Sequence, residues 1–316
     1  MKFVGIQKQI RRNNRKSILL LVAFPLLVLA SVFAVVYFTT FDEYGNANLT
    51  LANELFINVI PFVTSIVLVW FLIAYFAHGK MIAMATGAKS LERKENMRVY
   101  NLVENLCMSV GMKMPKVNII ESEALNAFAS GLNEKNYTVT LTRGIIETLD
   151  DNELEGVIAH ELMHIRNKDV RLLVVTIVFV GIFSFVVQIA FRSFLYGGMS
   201  NRRNNKDSGK LMIIILIVSL VAYLISMVFK FALGRKREYM ADSGAAEMTR
   251  KPWALASALR KIASNHHVKQ VKSEEVQQMF IENTPKDTSA SMFGGLSGLF
   301  STHPPIEKRI QFLEQF

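Results

Sequence analysis

The sequence is poor in cysteine and in charged residues, and both shortages restrict what the chain can be. The single cysteine, Cys107, excludes an internal disulfide and is typical of a functional domain in a reducing compartment. Charged residues form only 20% of the 316 residues, whereas hydrophobic residues form 51% and the mean hydropathy is +0.27. These values exclude an ordinary soluble enzyme and predict helices that cross a membrane.

Four apolar runs have the length of about 20 residues that a helix needs to cross a bilayer. They lie at 18–38, 59–77, 172–194 and 211–233. The first two runs carry no charged residue, so we predict that both are transmembrane helices. The last two include Arg192 and Lys230, so burial inside a soluble domain remains an alternative for them.

The formal net charge of +10 is concentrated beside the apolar runs, which points to lipid and membrane topology rather than to nucleic acid. Six lysines and arginines precede the first run, none occurs in residues 39–58, and they return after Ala77. Because cytoplasmic segments carry such an excess, the N-terminus and everything after Ala77 are predicted to be cytoplasmic. Four basic residues between the third and fourth runs oppose this tendency. The sequence therefore does not decide whether the second hairpin crosses the bilayer fully or is only partly inserted.

This pattern predicts four parts, with two transmembrane hairpins alternating with two segments of one cytoplasmic domain. The hairpins occupy 1–78 and 172–233, and the cytoplasmic segments occupy 79–171 and 234–316. The expected fold class is a mainly α membrane protein with four transmembrane helices and an α+β domain. Residues 282–302, rich in serine, threonine and glycine, fit either a linker or a mobile lid.

The cytoplasmic segments contain short strands and one well-marked helix. Strands are predicted at 116–120, 127–129 and 137–141. A helix is predicted from Asp151 to about Asn167, because Asp150 and Glu153 stand at the positions of a capping box.

That helix carries an H-E-x-x-H pattern formed by His160, Glu161 and His164. A spacing of four residues is just over one helical turn, so both imidazoles leave the same face and can bind one Zn²⁺. Glu161 then lies beside the metal and can take a proton from a bound water. The alternative is two polar residues on a solvated helix face.

A catalytic zinc site needs a third protein ligand, and Glu238 is the candidate. His164 lies shortly before the third apolar run and Glu238 shortly after the fourth, so a hairpin would return both to one membrane surface. Asp242, one helical turn from Glu238, is placed to accept a hydrogen bond from a ligand imidazole. On spacing alone, Glu238 fits equally well in a charged cluster at the membrane edge.

Four short motifs follow one another along the second part of the chain. They are N-A-F-A-S-G at 126–131, L-E-G-V-I-A-H-E-L-M-H at 154–164 with Asn167 and Asp169, R-E-Y-M-A-D at 237–242, and T-H-P-P at 302–305 with Arg309. From about Pro115 to its C-terminus, the chain resembles the HtpX-type membrane metallopeptidases, which are related to the CAAX prenyl endopeptidases.

The resemblance implies a zincin-like catalytic domain on the cytoplasmic side of a bacterial inner membrane. It implies that His160, His164 and Glu238 hold one Zn²⁺ per chain and that Glu161 is the catalytic base. The implied activity is endopeptidase cleavage of misfolded membrane proteins or other unfolded polypeptides in quality control under stress, with no nucleic-acid partner.

The resemblance also assigns residues to substrate binding. The implied set is Asn126, Ala127, Phe128 and Ala129 as an edge strand that pairs with an extended substrate, and His303 and Arg309 as contacts to the substrate or the oxyanion. For the last two residues, a helix start and a surface basic residue remain alternatives.

Three other functions remain open. A transporter or scaffold would use the polar residues of the last two apolar runs to line a path, and would bind no stoichiometric zinc. A holdase would bind zinc and substrate without cleavage. A CAAX-processing protease is disfavoured because the chain has only four candidate spans.

Overall fold

The protein is described by a computed structural model over residues 6–42, 44–200, 206–231, 236–265, 268, 271, 279–281 and 304–316. Helices dominate the described residues, and one small sheet accompanies them, which confirms a mainly helical chain.

Helices and strands follow one another along the described residues in this order. The helices are α1 Ile6–Thr39, α2 Leu49–Thr86, α3 Met97–Ser109, α4 Arg143–Thr148, α5 Asp151–Arg166, α6 Asp169–Ser200, α7 Lys206–Phe231, α8 Lys236–Thr249, α9 Pro252–Ser264 and α10 Ile306–Leu313. The strands are β1 Lys89–Ser90, β2 Lys116–Ile120, β3 Ala127–Ser130 and β4 Thr138–Thr142. The three predicted strands correspond to β2, β3 and β4 within one residue at each end.

The chain divides into two compact units. The sheet unit comprises Met1–Lys16, Ala77–Val174 and Phe231–Phe316, and the apolar unit comprises Ser17–Phe76 and Val175–Lys230. Helices α1, α2, α6 and α7 each contribute residues to both units.

Three helices among the described residues are long and apolar enough to cross a membrane. The stretches are Leu21–Thr39, Leu49–Ile73 and Gly209–Ser226, which fall in α1, α2 and α7. In α6 the described apolar stretch, Gly181–Arg192, is shorter than a span. The structure therefore supports three of the four predicted spans, and the third run stays a prediction.

The sheet has the order β1-β2-β4-β3, which places β3 at an edge. Strands β2 and β4 run parallel, whereas β3 is antiparallel to β4, with Ala127 opposite Leu141 and Ala129 opposite Val139. Every residue of β3 is buried. The side chains of this edge strand therefore belong to the core.

Helix α5 begins with the expected capping box. The Glu153 N–H donates to Asp150 Oδ1 at 2.9 Å, and the Asp150 N–H donates to Glu153 Oε2 at 3.0 Å. The Glu153 carboxylate also accepts from Ser257 Oγ at 2.7 Å and from Lys261 Nζ at 2.6 Å, both on α9. One carboxylate therefore fixes both the start of α5 and its packing against α9.

Two glycines allow neighbouring helices to approach α5 closely. A Cβ on Gly156 would meet the backbone of Leu255 on α9 at 3.1 Å, and a Cβ on Gly244 of α8 would overlap the Met163 side chain. Close approach of α8 matters most, because α8 carries Glu238 and Asp242 towards the histidines of α5.

Candidate metal centre

Helix α5 brings its two histidines together on one buried face. The Nε2 atoms of His160 and His164 lie 3.1 Å apart, and the two rings are perpendicular with centroids separated by 4.7 Å. The His160 side chain is 0% exposed and that of His164 is 14% exposed. Two imidazole nitrogens at this distance share either a hydrogen-bonding proton or a metal ion.

Glu238, in the first turn of α8, completes the cluster. Its Oε2 lies 3.6 Å from His160 Nε2, and its Oε1 lies 3.6 Å from His164 Nε2. One ligand atom from each of the three residues falls within 4.8 Å of the others. The three predicted ligands therefore converge, although His164 and Glu238 are far apart in the sequence.

The spacing of these atoms fits a metal ion. In a tetrahedral site with metal–ligand distances of about 2.0–2.1 Å, neighbouring ligand atoms lie about 3.3 Å apart. The separation of 3.1 Å between the two Nε2 atoms is close to that value, and each Nε2 lies 3.6 Å from one of the two Glu238 oxygens. The donor set of two imidazoles and one carboxylate leaves a fourth position for water or substrate.

Carboxylates hold the far side of both rings. His160 Nδ1 lies 2.9 Å from Asp242 Oδ1, and His164 Nδ1 lies 3.2 Å from Asp169 Oδ2. A carboxylate that accepts from Nδ1 selects the tautomer in which Nε2 is the ligand atom. Asp242 thus lies against the Nδ1 of a predicted ligand imidazole. The sequence assigned no role to Asp169, although its position just after the end of α5 was a usable signal.

The carboxylates also set the protonation of the metal-free cluster. Burial alone would lower the pKa of His164, but Glu238 and Asp169 outweigh burial and raise the pKa to about 10. Burial would raise the pKa of Asp242, yet Arg309 and His160 hold it below its usual value. At neutral pH the metal-free cluster therefore contains a protonated His164.

Metal uptake should displace that proton, because a ligating imidazole must be neutral. A His pKa raised on folding stabilises the metal-free protein fully below pH 6.5, and this stabilisation is lost as the pH rises through about 10. We expect metal-free protein at about pH 7.5 to release at least one proton per metal bound, as followed with an indicator dye in weak buffer. Metal uptake without proton release would contradict a protonated His164.

Arg309 of α10 lies behind the cluster and is 0% exposed. Its Nε donates to Asp242 Oδ2 at 2.9 Å and its Nη2 to Asp242 Oδ1 at 2.8 Å. Its Nη1 donates to the Ile281 carbonyl at 3.0 Å and lies 3.7 Å from Glu238 Oε2. Arg309 is thus a buried counter-charge for two carboxylates, and the alternative of a surface basic residue is wrong.

The remaining predicted residues are Glu161, the residues at the start of β3, and two predictions for the C-terminal part of the chain. Glu161 is buried on α5 beside the two histidines, and burial raises the pKa of its carboxyl group. Asn126 and the first three residues of β3 are buried along the sheet edge, where the Asn126 Oδ1 accepts from the Ala127 N–H at 3.0 Å. His303 and the segment 282–302 lie outside the described residues.

Comparison with known proteins gives the chain its family. A model of peptidase family M48 matches residues 93–316. A protease HtpX homolog of Bacteroides fragilis is 57% identical over 100% of both chains. Another from Dictyoglomus thermophilum is 35% identical over 99% of this chain and 95% of that one. The superposition on the crystal structure of S. mikatae Ste24p covers 94% of this chain and 67% of the Ste24p chain, at 18% identity and a TM-score of 0.47. The chain belongs to peptidase family M48 and is an HtpX-type membrane metallopeptidase.

Proposed function

We propose that the chain is a zinc endopeptidase whose active site is formed by His160, His164, Glu238 and Glu161. The observation that carries this proposal is the convergence of the three ligand atoms within 4.8 Å, with Glu161 buried on the helix that supplies both histidines. Catalytic zinc is commonly held by two imidazoles and one carboxylate, with a fourth position open to water or substrate. Mg²⁺ and Ca²⁺ prefer oxygen ligands alone.

The protein's own groups have separate tasks in amide hydrolysis. Zinc, when bound, polarises the scissile carbonyl and lowers the pKa of a water to about 7. The Asp242 and Asp169 carboxylates orient the imidazoles of His160 and His164 through Nδ1. The Glu161 carboxylate takes the proton of the attacking water and delivers it to the leaving amine nitrogen.

Strand β3 is the proposed platform for the substrate. An extended polypeptide can add to a sheet edge through main-chain hydrogen bonds, which read no particular side chain. That mode suits unfolded polypeptides of varied sequence. Asn126, Ala127, Phe128 and Ala129 would provide this edge, and His303 is proposed as a further contact to the substrate or the oxyanion.

The membrane topology follows from the distribution of lysine and arginine. The excess before the first apolar run and after the second supports a cytoplasmic active site in a bacterial inner membrane. We propose that the third apolar run, 172–194, also crosses the membrane. The chain would then have four transmembrane helices, arranged as two hairpins that alternate with the two cytoplasmic segments. Misfolded membrane proteins are then the proposed substrates, with the cytoplasmic segments as the catalytic domain.

Replacement of the third ligand tests this proposal. Glu238→Gln keeps the size of the side chain but removes the charge, and ligand loss should weaken zinc binding by more than about 100-fold. We expect the purified variant to lose both zinc and casein cleavage. Wild-type cleavage should stop with a chelator and return when zinc is added.

Glu247→Gln is the matched control, because Glu247 lies on the same helix and is exposed. It should keep one zinc per chain and normal cleavage. Full zinc binding by Glu238→Gln would refute the ligand set. Zinc and casein binding without cleavage in the wild type would favour a holdase, and cleavage confined to a prenylated peptide would favour CAAX processing.

A further inference from the structure

The outer edge of β3 already has an occupant. The Thr142 N–H donates to the Asn126 carbonyl at 3.0 Å, so the main chain of Asn126 faces β4. Because main-chain groups alternate along a strand, those of Ala127 and Ala129 face the outer edge. The Ile281 N–H donates to the outward carbonyl of Ala127 at 2.8 Å. A strand added at this edge would need the same carbonyl.

Two further contacts hold Ile281 and its two predecessors in place. These residues, Met279, Phe280 and Ile281, are called the edge segment, and all three are buried. The Phe280 ring packs edge-to-face against Phe128 of β3, with centroids 4.9 Å apart. The Ile281 carbonyl accepts from Arg309 Nη1 at 3.0 Å.

The Arg309 contact connects the edge segment to the candidate metal centre. The nitrogen that donates to Ile281 also lies 3.7 Å from the Glu238 carboxylate. The edge segment therefore occupies the end of β3 that is next to the cluster. A polypeptide bound beside the metal ion would have to use this part of the edge.

We propose that the edge segment is an internal competitor of the substrate, which occupies the Ala127 position of β3 and must leave it before a full substrate ladder forms. The inference rests on the proposed function, in which β3 receives the substrate. While Ile281 stays paired, the outward carbonyl of Ala127 is not available to an incoming chain. The loss of about one main-chain hydrogen bond weakens binding by about three- to tenfold.

Proline at position 281 tests the competition, because proline has no N–H to donate to Ala127. Binding of a fluorescent casein-derived peptide is measured by anisotropy in zinc-loaded protein that also carries Glu161→Gln. We expect Ile281→Pro to tighten binding about three- to tenfold. Ile281→Val, which keeps the N–H and a branched side chain, should bind the peptide as the parent does.

Unchanged or weaker binding by a zinc-loaded Ile281→Pro protein would overturn the proposal. If that variant fails to hold zinc, Phe280→Ala decides, since it removes the ring contact with Phe128 and keeps every main-chain group. Tighter binding by Phe280→Ala supports competition, and unchanged or weaker binding overturns it. Loss of zinc by both variants would also overturn it, because the segment would then be a structural part of the centre.

The proposed function fails in a different way from this inference. If zinc-loaded wild-type protein cleaves no polypeptide, the peptidase assignment fails, whatever the binding data are. If cleavage is normal and Ile281→Pro leaves peptide binding unchanged, only the competition is refuted.

Discussion

Replacement of Glu161 by glutamine should lower kcat for casein cleavage by about 10²- to 10⁴-fold while zinc stays bound. Glutamine has the size of glutamate but cannot accept a proton from water at neutral pH. Glu161 is not among the three clustered ligand residues, so metal content should remain at one per chain. Zinc analysis and initial rates on the same preparation measure both quantities.

Glu155→Gln is the control on the same helix. Glu155 pairs with Lys251 at 2.9 Å near the surface of the sheet unit, and such pairs contribute little to stability. The control should keep both zinc and activity. A zinc-loaded Glu161→Gln protein with near-normal kcat would exclude Glu161 as the base, whereas loss of zinc would make Glu161 a determinant of the metal site.

Replacement of Arg309 by methionine should strongly destabilise the sheet unit. The buried carboxylate of Asp242 would lose its bidentate partner, and that of Glu238 would lose a neighbouring positive charge. Removal of one partner from a buried ion pair costs about 3–5 kcal/mol. In a domain of this size the midpoint of thermal unfolding should fall by roughly 6–20 °C. Zinc affinity should fall about 10- to 100-fold, since Asp242 orients His160.

A double-mutant cycle separates the charge pair from simple loss of packing. Asp242→Asn removes the charge that Arg309 neutralises. Arg309→Met should therefore lower the free energy of unfolding less in the Asp242→Asn protein than in the wild type. Arg309→Lys keeps the positive charge but loses the two nitrogens that bind both oxygens of Asp242. Its free energy of unfolding should therefore lie between those of the wild type and Arg309→Met. Equal costs of Arg309→Met in both backgrounds would contradict the pairing.

The parts of the site that the sequence predicted are those that depend on local periodicity. His160, Glu161 and His164 follow from a helix with a visible capping box and a spacing of four residues. Helix α5 then begins at Asp151, as expected. Local periodicity does not predict the role of Glu238, because its approach to α5 depends on a tertiary contact at Gly244. Only the family pattern favours Glu238 as a ligand over a surface charge.

The contacts that the sequence did not predict are made through the fold. Asp169 follows Lys168, whose φ of +59° separates α5 from α6 and turns the carboxylate towards His164. The hydrogen bonds of Arg309 to Asp242 and to the Ile281 carbonyl are contacts of the same kind, and its predicted role at the substrate or the oxyanion stays a prediction. No pattern of period 2 or 3.6 predicts a pairing between residues so far apart in the chain.

Strand prediction was limited by length. Strands β2, β3 and β4 were recognised from their apolar or β-branched residues, but β1 has only two residues, both exposed. The contact of Ile281 with Ala127 is a single hydrogen bond at a sheet edge and leaves no periodic signal. Such contacts need coordinates, although they decide how much of the edge is open.

X-ray absorption at the zinc edge of the purified, zinc-loaded protein tests the ligand set most directly. We expect two imidazole nitrogens with one or two further oxygen neighbours, all at about 2.0–2.1 Å, and no sulfur. Glu238→Gln should change this spectrum, and Glu247→Gln should not. Fewer than two imidazoles around the metal, or a spectrum unaffected by Glu238→Gln, would contradict the His160, His164 and Glu238 centre.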